Sequence, residues 1–164
     1  MLNGYNFQRL INQARRDKKI FCLLSLDVDN FKLYNDTYGH QDGDSVLFNI
    51  ANILNENMKR PNDVAFRMGG EEFSAIYTVD EEKNVFDVAE KIRKLVEEQK
   101  IEHKKNSVSE YVTASFGVTF VDFEKNVNGQ KDKDILYKFA DDLLYKAKES
   151  GKNRVIYEEY GIKV

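Results

Sequence analysis

The run "IFCLLSL", residues 20–26, narrows the possible folds more than any other feature of this chain. It has strand length and almost no polar break, so a strand built from it has no face to offer water. Such a strand belongs inside a sheet with other elements packed over both faces. It is far too short to span a bilayer. It also runs directly into two acids, Asp27 and Asp29. A central strand that ends in carboxylates raises the question of what those carboxylates face.

The surrounding pattern supplies the rest of the sheet. Residues 6–18 carry Phe7, Leu10, Ile11 and Ala14 at helical spacing. Residues 30–40 read as a short helix ending at Gly39. Residues 43–59 carry Val46, Leu47, Ile50, Ala51 and Leu54 as a stripe, with Asp44 or Ser45 as the expected N-cap. Residues 63–68 and 71–78 read as two strands joined by Gly69-Gly70, a tight-hairpin signal. A charged amphipathic helix over 80–100 and a β-branched, aromatic strand over 111–123 follow. Then come a polar loop over 126–133, a helix over 134–151 and a closing strand over 153–159. The expected fold is α/β in the broad sense (α+β). It has one mixed sheet of about five strands with flanking helices, crossovers beside a hairpin, and a single domain over 1–164.

Composition excludes several classes. Net charge is −3, without the basic surplus that replaces counterions on a nucleic-acid polymer. No apolar run is long enough to cross a membrane, and no secretory pattern opens the chain, so a cytoplasmic domain without membrane contact is expected. Cys22 is the only cysteine, set within the apolar run, so it reads as a small buried hydrophobe.

The hairpin carries the second set of acids. In "FRMGGEEF", residues 66–73, a Gly-Gly loop would set Arg67 opposite Glu72 and Met68 opposite Glu71. An Arg67–Glu72 cross-strand pair is one reading of Glu72, but it leaves Glu71 unexplained. If the hairpin lies beside the first strand, up to four carboxylates share one sheet edge. Two such charges ~4 Å apart repel by roughly 4 kcal/mol at an effective dielectric of 20. Either some are protonated or a cation lies among them. Oxygen donors without Cys or His select Mg²⁺ or Mn²⁺ over Zn²⁺. From the residues alone, a solvated acidic rim and a cation site both stand.

The segments "LDVDNFKLYNDTYGHQDGDSVL", "FRMGGEEF", "SFGVT" and "LYKAKESGKNRV" occur in this order. Together they resemble the GGDEF domain of bacterial diguanylate cyclases, from about Asn3 to Val155. The resemblance implies a palm-like nucleotidyl-cyclase fold whose hairpin carries the GGEEF signature. It implies two copies meeting transiently as a homodimer, each with one GTP and two Mg²⁺ (or Mn²⁺) ions, releasing cyclic di-GMP and pyrophosphate. By position, Asp27, Glu71 and the carbonyl of Val28 are similar to the metal ligands. Glu71 or Glu72, with Glu71 favoured, stands where the ribose 3′-hydroxyl is deprotonated. Lys32 corresponds to a cation facing the triphosphate or the transition state. Asn35 and Asp44 match the guanine-binding pair, with His40 beside the nucleotide or simply at the surface. Lys148 and Lys152 match phosphate-binding basic positions, and four-residue spacing puts both on one helical face unless Gly151 ends the helix first. The second is often Arg in the family, and Lys brings charge without a bidentate fork. Arg60 and Asp63 in "RPND" match the RxxD site at which product restrains the enzyme.

The family's usual D-x-L-T-G-L turn is absent, and the N-terminal segment fits only through Asn3, Phe7 and Leu10. The expectation is a catalytic domain lacking an upstream regulatory region, such as a sensor or receiver. Three functions are compatible with the resemblance. One is an active cyclase, favoured by the intact acids. The second is a silent module that senses GTP or cyclic di-GMP. The third is a cyclase of relaxed base choice, against which Asp44 argues.

Overall fold

The computed structural model describes residues 4–125 and 132–161. The order is α1 (Gly4–Arg16), β1 (Ile20–Val28), α2 (Phe31–Tyr38), α3 (His40–Asn57), β2 (Val64–Gly69), β3 (Glu72–Val79), α4 (Lys83–Glu98), β4 (Ala114–Asp122), α5 (Lys133–Glu149) and β5 (Val155–Glu159). The strands form one five-stranded sheet in the order β2-β3-β1-β4-β5. Its core is antiparallel, and only β4 and β5 run parallel.

The unbroken apolar run lies at the middle of that sheet, buried along its whole length. Strand periodicity then sorts its side chains. Ile20, Cys22, Leu24, Leu26 and Val28 enter a cluster with residues of α2, α3 and α4, whereas Phe21 and Leu23 enter a second cluster with α1 and α5. On this second face the next two positions are Ser25 and Asp27. The α5 side of β1 therefore turns from apolar to polar toward the end of the strand.

Gly117 on β4 allows α5 to lie against this face. A Cβ there would stand 2.2 Å from the carbonyl oxygen of Ala140 and 2.2 Å from the amide nitrogen of Leu144. The helix backbone thus rests on the strand at a spacing no side chain permits. That contact fixes where the last turns of α5, and with them Lys148, meet the end of β1.

Three local expectations are corrected, and one left open, the third below, is settled. First, α3 begins at His40 with Gly39 as its N-cap, not at Asp44 or Ser45. Gly39, at φ 93°, closes α2 through its amide and opens α3 through its carbonyl, a double duty that its positive φ makes possible. Second, the hairpin register is shifted. Gly69 pairs with Glu72 and Arg67 with Phe73, with an irregularity at Met68 between them, so the loop is Gly70-Glu71. Phe73 lies in the α2–α4 cluster, so Arg67 and Glu72 occupy opposite faces and form no cross-strand pair. Third, Lys152 is off the helix. Gly151 at φ 116° ends α5, and the Lys152 amide returns to the Ala147 carbonyl at 3.0 Å, a Schellman closure. Fourth, Lys133 starts α5 rather than ending a loop, while the 126–131 part of that expected loop lies outside the described residues.

Candidate active site

The carboxylates converge where β1 ends and β3 begins. Asp27 pairs directly across from Glu72, with Ser115 on its other side, and it is only 6% exposed. Burial raises its pKa to about 6; Lys148 opposes that shift, while Glu71 and Glu72 add to it by repulsion. The Lys148 ammonium stands 2.8 Å from Asp27 Oδ1. A carboxyl whose folded pKa lies above its free value destabilises the fold as pH rises through that interval. Ionised Asp27 at neutral pH is thus held at an energetic cost, and a cation beside it lowers that cost.

Asp29 does not join this group. It is 1% exposed, and its oxygens accept hydrogen bonds from Thr113 Oγ1 (2.8 Å), Ser115 Oγ (2.6 Å) and the Asn153 amide (3.0 Å). It ties the turn after β1 to β4 and to the segment after α5. Three acids, not four, make the cluster.

The donor set suits a hard divalent ion. Asp27 and Glu71 offer carboxylates. Val28 extends one residue past the last β1–β3 pair, so its backbone lies at the same end of the sheet. Lys148 already supplies positive charge to Asp27. Among the described residues no ready-made cage of three or more His, Cys, Asp or Glu side chains occurs. Two carboxylates and a carbonyl leave coordination positions for phosphate oxygens, as Mg²⁺ sites commonly do.

A second candidate feature lies on the opposite face of the sheet. A cleft of about 580 Å³ runs between α3 and the hairpin, lined by Asp44, Leu47, Phe48, Ala65, Arg67 and Phe73 among others. Its size and mainly apolar lining suit a planar ring system with a few polar anchors. Because Gly39 caps α3, Asp44 has no capping duty and stands exposed in the second turn. On α2, Asn35 packs against Gly43, whose missing side chain leaves the space: a Cβ there would lie 1.9 Å from Asn35 Oδ1. Among the described residues that Oδ1 is buried without a hydrogen-bond partner. His40 stands exposed at the start of α3 and Lys32 exposed in the first turn of α2. Glu71 sits in the turn, where the sheet end joins the two faces. Arg67 fastens that turn, donating from Nε (2.8 Å) and Nη2 (2.6 Å) to the Gly70 carbonyl.

Arg60 and Asp63 form a separate feature. The Arg60 amide donates to Asp63 Oδ2 at 3.0 Å. The guanidinium reaches the Thr78 carbonyl and lies 3.6 Å from Asp80. Among the described residues Asp63 Oδ1 is buried without a hydrogen-bond partner, and burial raises the pKa of this carboxyl against several favourable contacts, the Arg60 backbone first among them. Sequence reading did not single out Gly43, Asn153 or the Arg67 clip. Gly43 carried no signal of its own, because the expected N-cap at Asp44 or Ser45 left it outside the helix that the structure begins at His40.

The mixed sheet thus carries carboxylates at one end and a mainly apolar cleft on its other face. The chain belongs to the GGDEF family: the family described as "Diguanylate cyclase, GGDEF domain" matches residues 5–154. It is 35% identical over 157 residues to the probable diguanylate cyclase DgcT of Escherichia coli, covering 95% of this chain and 33% of that protein. It is 39% identical over 145 residues to diguanylate cyclase A of Treponema denticola, covering 88% of this chain and 37% of that protein. The chain thus spans about a third of the curated relatives it matches. Among solved structures it is similar to the active GGEEF domain of a Vibrio cholerae diguanylate cyclase (TM-score 0.74, 31% identity, 93% of this chain and 92% of that one). It is also similar to the GGDEF domain of Caulobacter crescentus DgcB, solved with c-di-GMP (TM-score 0.75, 29% identity, 94% and 88%). No helix among the described residues is long and apolar enough to cross a membrane.

Proposed function

We propose that this domain is a diguanylate cyclase, joining two GTP molecules into cyclic di-GMP with release of two pyrophosphates. The observation that carries the reading is the buried Asp27 beside Glu71 and Glu72, its charge already answered by Lys148. A triphosphate brought there with divalent cations meets ligands that gain by its arrival. Asp27, Glu71 and the Val28 carbonyl are the residues that would hold Mg²⁺ or Mn²⁺, two per site, and Asp27 and Glu71 fit such ions by donor type. When bound, the ions polarise the α-phosphate and neutralise the leaving pyrophosphate.

The chain's own groups divide the remaining work. Asp44 accepts the N1–H and N2–H of guanine, and Asn35 supplies the second contact at the base. His40 lies at the start of α3 beside that base. Lys32, Lys148 and Lys152 bring positive charge to the triphosphate, Lys148 turning from Asp27 once cations take its place. Glu71, supported by Glu72, withdraws the proton of the ribose 3′-hydroxyl. The freed oxygen bonds to the α-phosphorus of the partner's GTP, and the bond from that phosphorus to the pyrophosphate breaks. The same exchange in the other direction closes the ring, which requires two copies face to face, a transient homodimer. An upstream sensor or receiver domain would govern that encounter.

Incubation with GTP, ATP or both, with Mg²⁺, followed by nucleotide chromatography, tests the proposal. Cyclic di-GMP from GTP alone is expected. GTP binding without pyrophosphate across a protein concentration series would reject turnover and leave a sensor; a mixed purine product would reject the role of Asp44.

Two substitutions separate the parts. Gly43→Ala pushes Asn35 aside, while alanine suits a helix better than glycine by up to about 1 kcal/mol. The KM for GTP is expected to rise about five- to tenfold with little change in thermal stability, since a base contact contributes roughly 1 kcal/mol; an unchanged KM would remove Asn35 from the base site. We also assign Arg60 and Asp63 to product inhibition. The Arg60–Asp80 pair is exposed and weak, so an incoming phosphate and guanine can take the guanidinium from it. In product titrations of initial rate, Arg60→Ala is expected to shift the inhibitory concentration upward by about tenfold or more, the loss of a charged contact. Unchanged inhibition would withdraw the site.

A further inference from the structure

The segment between α4 and β4 is folded on itself and docked against the turn that joins the acid cluster to α2. Glu102 and Tyr111 form an antiparallel bridge, and the His103 amide donates to the Glu110 carbonyl at 2.8 Å. Two side chains of this strap hold Asn30. His103 Nε2 lies 3.2 Å from the Asn30 carbonyl, which requires the proton on Nε2, and Asn106 Oδ1 accepts from Asn30 Nδ2 at 2.7 Å. Asn106 is itself anchored, its Nδ2 donating to the Tyr111 carbonyl at 2.8 Å.

Asn30 adopts a left-handed conformation, φ 54° and ψ 31°, and precedes α2 without a side-chain cap. Its carbonyl also accepts the Tyr34 amide, the first bond of α2. His103 therefore grips the origin of the helix. The ring is 1% exposed and stands edge-on to Tyr34, which packs on Tyr38, whose hydroxyl accepts the Lys104 amide at 3.0 Å. The strap touches α2 at its start, its middle and its end.

We infer that His103 is a positioning residue, which through Asn30 sets the placement of α2 and hence of Lys32 and Asn35 relative to Asp27. Two bonds to a left-handed asparagine fix the angle at which the chain leaves β1 for α2. The inference rests on the proposed GTP contacts of Lys32 and Asn35. Without His103 the Asn30 carbonyl keeps only its helical partner, and the exit angle relaxes.

His103→Leu, which keeps bulk and loses the donor, is compared with His103→Gln, which retains one. Each is measured for binding of a fluorescent GTP analogue with Mg²⁺, for thermal melting, and for hydrogen exchange over residues 29–38. His103→Leu is expected to weaken the analogue at least fivefold at a temperature where it is fully folded, and to speed exchange of the Tyr34 amide. His103→Gln is expected to restore both to within about twofold. Equal impairment of the two variants, or wild-type behaviour of His103→Leu, would overturn the inference. Should His103→Leu fail to fold, Asn106→Ala, which removes the side-chain grip on Asn30 together with the Asn106 bonds to the Tyr111 carbonyl and the Val108 amide, is judged by the same two outcomes. Binding of the analogue without turnover by the unmodified chain would sink the cyclase reading alone. Absence of binding would sink the GTP contacts, and with them the link from His103 to Lys32 and Asn35.

Discussion

Glu71→Gln is expected to lower pyrophosphate release from GTP by a factor of 10³ or more while leaving the fold as stable as before, or slightly more so. Glutamine matches glutamate in shape but has no charge and no basic oxygen. At a position that both holds a cation and withdraws a proton, that one change removes two contributions. General-base assistance alone is worth roughly 10²–10⁴ in rate, and loss of a charged ligand weakens the cation as well. Stability moves the other way because Glu71 repels Asp27 in the folded state. Removing that repulsion relieves a buried carboxylate that is already hard to ionise. Thermal melting without cations, alongside a pyrophosphate-release assay, reads both effects. Turnover within tenfold of the unmodified chain would remove Glu71 from the chemistry. A large loss of stability would make it a structural acid.

Gly117→Ala is expected to destabilise the domain by about 3 kcal/mol or more, at or above the upper end of the usual overpacking range. The new methyl group would meet main-chain atoms of α5, 2.2 Å from the Ala140 carbonyl oxygen and 2.2 Å from the Leu144 nitrogen. Backbone of a packed helix cannot swing aside as a side chain can, so α5 must lift away from β4. Leu136, Ala140 and Leu143 are buried along that helix and would lose packing with it. Lys148 would move from Asp27 in the same step, so activity should fall beyond what unfolding explains. Denaturant unfolding measures the first effect. A change below about 1 kcal/mol would mean that α5 lies farther from the sheet than this structure places it.

The sheet was legible because its strongest signal was physical. A strand with almost no polar break must be covered on both faces, and β1 is covered by α2, α3 and α4 on one and by α1 and α5 on the other. Element order followed from period, residue type and turn signals. The errors fell where one residue decides between neighbouring geometries. At Gly39, "YGH" ended one helix and began the next without an intervening loop, so α3 started earlier than its apolar stripe suggested. At Met68 an irregular pairing moved the hairpin by one position, which reversed the face of Arg67 relative to Glu72. Side-chain period in a strand is two, so a shift of one residue changes every partner.

The site was legible in part for the same reason. Asp27 and Glu72 could be expected near each other once their strands were neighbours, and the register puts them opposite. Asp29 has the same residue type two positions on, yet Thr113, Ser115 and Asn153 claim its oxygens. Those partners come from β4 and from beyond α5, distances in sequence that no spacing rule spans. Asn30 belongs to the same class: it matters for what a distant segment places against it.

The central claim is that Asp27 and Glu71 close on divalent cations that hold a triphosphate. Crystals grown with Mn²⁺ and a GTP analogue that cannot be cyclised, measured near the manganese absorption edge, test it most directly. Anomalous peaks within coordination distance of both carboxylates and of the analogue's phosphates are expected. A fully occupied analogue whose phosphates lie away from Asp27, with no peak between it and Glu71, would contradict the claim.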